Sequence, residues 1–371
     1  MNKKNVIIIM IDGGRFDRSK KSLLFQSIKQ KSICLSQSIT YGPHTIAAMH
    51  AVFSGTYGSK TGTNSYWSTY KFKKEKFKTI SEYLHDKNYY TVADVVNKLV
   101  IPQQGLDEFN IHDEQKDDLT ILHADYLKKM KKLNDNGKKF FLYLQYSNIH
   151  TGIMNEVLKI YDNFSTEFFE NKLTNEKRYD KLFSNAEEYL EKMLNKIYEL
   201  ELDKNSIILI MSDHGISVGE KMGERAYGAF CYDYTLQTLA YFLLPKFQPI
   251  EIIQQTRTID FMPTILDYLG ISFDSQYDNI DGESLMPLFF GNSLDEKIAF
   301  SETGNPLKEK SPPKEPNIHS VRTSDWKLIF NSHDNSKELY DLKNDPNENC
   351  NLSETNLEIK NILWKEILKY L

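Results

Sequence analysis

The sequence predicts an α/β protein built on a doubly wound, mostly parallel sheet flanked by helices, and three observations carry that expectation. Short apolar runs near Val6, Phe141, Ile208 and Leu243 read as strands buried on both faces. Helix-like segments alternate with them, as in Asn185 to Glu199, where Leu190, Met193, Leu194 and Ile197 form one apolar stripe that belongs in a core. Two of the runs end in polar clusters, Asp12-Gly13-Gly14-Arg15 and Asp213-His214-Gly215, at the strand ends where ligands bind in such sheets.

Taken in order, the run from Asn5 to Ile11 delivers Asp12 to the sheet rim, and the run from Ile207 to Met211 delivers Asp213 and His214. A strand-end Asp is commonly a turn or cap residue, but two carboxylates and an imidazole on one rim form a mixed oxygen and nitrogen set suited to a divalent cation. Between them, Thr40 to His44 reads as a loop and Thr45 to Phe53 as a helix ending at Ser54-Gly55. The Thr45 hydroxyl either caps that helix or faces its free amides and dipole, where developing negative charge is stabilised. His44 and His50 flank it, with an ordinary helix-face role expected of both. The run Phe140 to Leu144 leads to His150-Thr151-Gly152, and the basic stretch Lys71 to Lys78, broken by Phe72, Glu75 and Phe77, reads as a solvated loop.

At 371 residues the chain exceeds the size at which single cores tend to split, so a large domain over 1–300 and a smaller one over 301–371 are expected. A net charge of −5 argues against a nucleic-acid surface, which needs clustered Lys and Arg. Three cysteines, Cys34, Cys231 and Cys350, do not make a disulfide framework, and the apolar run after Lys3-Lys4 is too short for a signal peptide or membrane span. A cytoplasmic protein follows. The Lys- and Pro-rich segment Asn305 to Pro316 is expected to be a loop, after a strand at Ile298 to Phe300, that edges the pocket.

These residues resemble the sulfatase branch of the alkaline phosphatase superfamily. Counting back from Ser54-Gly55 puts Thr45 on the family's nucleophile position, Ala47 and Ala48 on its Pro and Ser, and Met49 on its Arg. Asp12, Asp213 and His214 fall on metal-binding positions. The segment Thr258 to Leu266, the loop Asp281-Gly282-Glu283-Ser284-Leu285, and the stretches Val321 to Ile329 and Glu338 to Glu348 are similar to later family motifs in the same order. The resemblance therefore implies an alkaline phosphatase/sulfatase-like fold, closed by a small C-terminal antiparallel sheet and a final helix over Asn356 to Tyr370.

The departures are specific. A formylglycine cannot be made from Thr45, whose Cβ carries a methyl group, whereas threonine is the nucleophile of phosphodiesterase relatives. Two-metal relatives carry an Asp and a second His where this chain has Tyr146 and Tyr227, and the second adjacent Asp of sulfatases is Gly13 here, so one divalent ion (Mn, Mg, Ca or Zn) is expected. His150 resembles the family histidine near the leaving group and is assigned as general acid. Arg15, in an Asp-x-x-Arg start like that of phosphonate and choline sulfate hydrolases, offers a fork for phosphate oxygens, and Asn64 resembles an asparagine that contacts the ester. Lys221 and Arg225 stand where they either replace the family lysine or form a solvated charged loop.

The sequence thus points to a metal-dependent hydrolase or transferase of small phosphoesters, a phosphodiesterase or phosphonate-ester hydrolase working through a phosphothreonine. A sulfate-ester hydrolase and an inactive binding protein are the alternatives. Oligomeric state is left open.

Overall fold

The computed structural model describes residues 4–158, 166–224, 226–304 and 313–371. Eight strands form the main sheet, in the order Ile250–Ile252, Ile33–Leu35, Ala240–Leu243, Ser206–Met211, Asn5–Ile11, Phe140–Tyr146, Tyr90–Val95, Glu108–Ile111. Every pairing is parallel except the two made by Ala240–Leu243. Successive residues of the central strands alternate between two cores. Ile7, Ile9, Ile208, Ile210, Leu142 and Leu144 face one, and Val6, Ile8, Ile207, Leu209, Phe141 and Tyr143 face the other. Burial on both sides is why these strands read as unbroken apolar runs.

The first core is covered by the helix Lys172–Glu199, which supplies Tyr179, Tyr189, Leu190, Met193, Leu194 and Ile197. It begins 13 residues before the segment Asn185 to Glu199 read in the sequence, because Tyr179, Leu182 and Phe183 extend the same face through a charged stretch. The second core is covered by Thr45–Ser54 and Phe261–Leu269. Met49 packs fully buried in it, which accounts for an apolar side chain at the family's Arg position.

Strands Ala299–Thr303, Ile318–Arg322, Trp326–Asn331 and Ser336–Asp341 form an antiparallel meander whose first strand runs across position 300. The final helix, Leu357–Ile367, is capped by Asn356 and packs Leu363 and Ile367 against Phe300, Val321 and Leu328. A buried ionic cluster ties this sheet to the main domain. Arg322 donates to Asp233 at 2.8–3.1 Å, and Lys327 pairs with Asp233 at 2.8 Å and Glu348 at 2.9 Å. The segment expected as a loop over Asn305 to Pro316 lies mostly outside the described residues. Among these, no helix is long and apolar enough to cross a membrane.

Parallel register aligns the strand ends that matter. Ile11 lies opposite Tyr146, and Met10 opposite Met211, so Asp12, Asp213-His214 and the segment leading to His150 emerge at one sheet edge.

Candidate active site

Thr45 stands at the first helical position rather than at the cap. His44 is extended (φ −152°, ψ 144°) and its Nδ1 accepts from the Ala47 amide at 3.4 Å, so the helix does not consume the threonine hydroxyl. Thr45 Oγ1 instead lies 3.4 Å from Asp12 Oδ2 and 3.4 Å from His214 Nε2. Gly55, left-handed at φ 63°, stops the helix as the sequence suggests.

Each carboxylate is held through one oxygen and left open at the other. Asp12 Oδ2 accepts from Gln145 Nε2 at 2.9 Å, and Asp213 Oδ1 accepts from the amides of Gly13 at 3.1 Å and His214 at 2.9 Å. Asp12 Oδ1 and Asp213 Oδ2 are buried with no hydrogen-bond donor. His214 Nδ1 lies 2.8 Å from the Gly215 carbonyl, which assigns the proton to Nδ1 and leaves the Nε2 lone pair facing the two open oxygens at 3.8 and 3.3 Å. Two buried carboxylates with orphaned oxygens beside an imidazole lone pair fit a bound divalent cation. Without one, burial and the neighbouring Asp12 charge push Asp213 up to about 6. Burial also opposes ionisation of Asp12, but His150, His214 and the Gln145 bond outweigh it and hold Asp12 below its ordinary value.

An aspartate at the family's second position would be strained here. Gly13 has φ +75°, and a Cβ on it would come within 2.8 Å of the Ile216 side chain. The turn is clamped by Tyr179, whose hydroxyl donates to the Gly13 carbonyl and accepts from the Arg15 amide, both at 2.8 Å.

His150 Nδ1 stands 3.6 Å from Asp12 Oδ1, an ion-pair distance, and its ring stacks on Tyr227 with centroids 4.4 Å apart. Burial works against protonating His150, but the Asp12 charge, with Asp213 and Glu114 adding to it, raises its pKa. The Tyr227 hydroxyl donates to the His150 carbonyl at 2.9 Å, so the residue at the family's second-histidine position packs the site. Tyr146 is stacked on Tyr189 at 4.3 Å, buried in the core. Neither tyrosine completes a second-metal ligand set.

Three sequence-selected residues lie away from Thr45's cavity. Arg15 is 4% exposed and lies outside the cavity that holds Thr45, its guanidinium engaged by Asp17 at 2.9 Å, by Glu220 and by the Ile216 carbonyl at 3.0 Å. Asn64 also misses that cavity, bonding Glu315 at 3.3 Å and Ser68 at 3.3 Å. Lys221 donates to the Glu348 carbonyl and lies over Tyr232 at 5.3 Å. Arg225 lies outside the described residues. Of the flanking histidines, His50 is buried with Nδ1 2.9 Å from the Ile46 carbonyl, whereas His44 lines the cavity, and burial, with His214 beside it, pushes its pKa down to about 3.

The residue missed in the sequence is Gln145, a polar position in the apolar strand Phe140–Tyr146, and that break in hydropathy is the signal that would have found it. A second cluster, Asp94, His112 and His123, has ligand-like spacing but is satisfied by its own bonds. Both imidazoles bond Asp94 Oδ2, at 2.7 and 2.9 Å, and their other nitrogens meet Ser147 at 2.9 Å and Tyr189 at 2.6 Å. Ser147 precedes the helix Asn148–Ile153, which carries His150, so the network braces that helix from below.

This fold and site define a sulfatase-like member of the alkaline phosphatase superfamily. The chain matches the Sulfatase family over residues 4–271 and the C-terminal region of N-sulphoglucosamine sulphohydrolase over 229–370, and it belongs to the sulfatase family. Among curated relatives it is 26% identical over 170 residues to a Delta 4,5-hexuronate-2-O-sulfatase of Bacteroides thetaiotaomicron, covering 44% of this chain and 34% of that protein. It is 25% identical over 197 residues to a choline-sulfatase of Rhizobium meliloti, covering 52% and 36%. The matched stretches thus span about a third of those relatives. Solved structures with the same fold include a 2-O GAG sulfatase (TM-score 0.78, 17% identity, covering 99% of this chain and 91% of that one). A phosphonate monoester hydrolase from Silicibacter pomeroyi gives a TM-score of 0.77 at 14% identity, covering 99% and 95%.

Proposed function

We propose that the protein is a metal-dependent phosphoester hydrolase, acting on a phosphodiester or phosphonate ester through a covalent phosphothreonine at Thr45. The observation that carries this reading is the Thr45 hydroxyl, free of any capping role, 3.4 Å from both Asp12 and His214. Asp12, Asp213 and His214, with Thr45, would hold one divalent ion, which when bound supplies a lowered hydroxyl pKa and charge neutralisation on the phosphoryl oxygens.

Once the hydroxyl proton has been shed to water, Thr45 Oγ1 attacks phosphorus and the bond to the leaving oxygen breaks. His150, its Nδ1 oriented by Asp12, gives a proton to the departing oxygen from Nε2. The neutral imidazole then takes a proton from the water that cleaves the phosphorus–Oγ1 bond, leaving a protonated histidine, and the released Thr45 oxygen regains from water the proton it had shed. Three unpaired thiols, Cys34 and Cys231 buried, suit a reducing cytoplasm.

A sulfate-ester substrate is the second reading, favoured by the sulfatase activity named for both curated relatives. The test is to quench the metal-loaded protein during reaction with bis(4-nitrophenyl) phosphate and, in parallel, 4-nitrophenyl sulfate, then map the modified peptide. A phosphoryl adduct on Thr45, absent from Thr45→Ala, supports the first reading, and turnover of the sulfate alone supports the second. Wild-type turnover by Thr45→Ala removes the covalent mechanism, and no reaction with either ester leaves a binding protein.

A further inference from the structure

A cavity of about 600 Å³ opens on Thr45, with Asp12, His150 and His214 at the same end. One wall is apolar, while Ser65, Asn97, Lys98, Glu114 and Thr303 line the rest. On that wall the loop after strand Tyr90–Val95 contributes Val96, Leu99 and Val100, the helical segment Met154–Leu158 after the His150 helix contributes Met154, and Ala229 and Pro313 lie beside them. Leu99 and Met154 are 42% and 41% exposed, large apolar side chains left uncovered at a concave surface rather than scattered on a convex one. Among the described lining residues the only Lys or Arg is Lys98, and the carboxylate Glu114 is already engaged by the Thr151 hydroxyl at 2.5 Å.

The wall is fixed relative to the reacting centre by one side chain. Gln145 Oε1 accepts from the Val96 amide at 3.1 Å while its Nε2 holds Asp12. A group seated on this wall is therefore presented to Thr45 by a preformed surface. Hydroxyls or an anion set directly on the Leu99 and Met154 side chains would lose water without gaining partners there, whereas an apolar group gains from leaving water.

We propose that the alcohol or organic side of the ester is an uncharged apolar group, an alkyl chain or aryl ring, seated on the Leu99 and Met154 wall. This rests on the ester-hydrolase reading only in placing the reacting atom at Thr45. The test is calorimetric binding of n-alkylphosphonates from methyl to hexyl, which have no ester bond to cleave, to the metal-loaded full chain. Affinity should rise roughly two- to fourfold per methylene until the wall is covered, the increment expected for burying CH₂. In Leu99→Asp and Met154→Asp, both at partly exposed positions, the slope of affinity against chain length should flatten. A flat series in the wild type, no binding by any member, or tighter binding of glucose 6-phosphate than of hexylphosphonate would overturn the proposal. A chain-length slope without a Thr45 adduct defeats the phosphothreonine reading alone, and an adduct without a slope defeats this proposal alone.

Discussion

Gln145 Nε2 donates to Asp12 Oδ2 at 2.9 Å, and this bond leaves Oδ1, the other oxygen of the same carboxylate, as the one without a donor. The amide thus fixes which oxygen of Asp12 faces the proposed cation position. Gln145→Leu, close in volume and without a donor, should weaken divalent-metal affinity by about 10- to 100-fold, the usual cost of losing a hydrogen-bond partner to a ligand. Metal titration by calorimetry checks this, and unchanged affinity would remove Gln145 from the site.

Much of this arrangement was legible in the sequence, and its limits have physical reasons. Asn5–Ile11 and Ser206–Met211 were readable because burial on both faces demands an unbroken apolar run, and their ends therefore located Asp12, Asp213 and His214. Charged residues were not readable in the same way, since a sequence displays a charge without its partner. Arg15 meets Glu220, 205 residues away, and Lys221 meets Glu348, 127 residues away. Helical caps mislead by one position where a histidine takes the role, as His44 does beside Thr45. The apolar wall left no pattern, because Val96, Met154, Ala229 and Pro313 come from four separate segments.

Arg15 is a structural cation in this arrangement. Replacing it with Met leaves the largely buried Glu220 without its cation, and the loss should be about 1–3 kcal/mol of stability, below that of a fully buried pair because Ser217 and Val218 still bond the carboxylate. The KM for an activated ester should be unchanged within about twofold, because the guanidinium lies outside the cavity. Denaturant unfolding and steady-state kinetics on one preparation decide it. A raised KM at wild-type stability would return Arg15 to substrate binding.

Asp233 gives a pH-dependent prediction with a definite sign. Burial raises its pKa, but Arg322 and Lys327 outweigh burial and hold it well below the usual carboxylate range. A depressed folded pKa contributes stability that is present above the unfolded value near 3.9 and is lost as pH falls through the folded one. Asp233→Asn should therefore cost about 3–5 kcal/mol at pH 5–6, with the gap to wild type closing below about pH 4. Paired denaturant midpoints from pH 6 to pH 2.5 measure the gap. A constant difference across that range would show that the ionised form of Asp233 is not what ties the C-terminal sheet to the main domain.

The Tyr227–His150 stack predicts how the site discriminates among leaving groups. Two contacts hold the imidazole on that side, the ring stacked at 4.4 Å and 21° and the hydroxyl bonded to the His150 carbonyl at 2.9 Å. Tyr227→Phe keeps the stack and gives up one hydrogen bond, whereas Tyr227→Ala frees the ring to turn away from Asp12. If His150 donates the leaving-group proton, misplacing it harms only reactions that need that proton. Tyr227→Ala should lower kcat for an alkyl ester by about 10- to 100-fold, part of the roughly 100- to 10,000-fold that a general acid contributes, and for a 4-nitrophenyl ester by less than about threefold, since nitrophenolate departs unprotonated. Tyr227→Phe should lie near wild type on both. Rates on the two esters with each variant provide the test. An equal loss on both would mean that the stack supports the fold of the site, and that the leaving-group proton comes from a group other than His150.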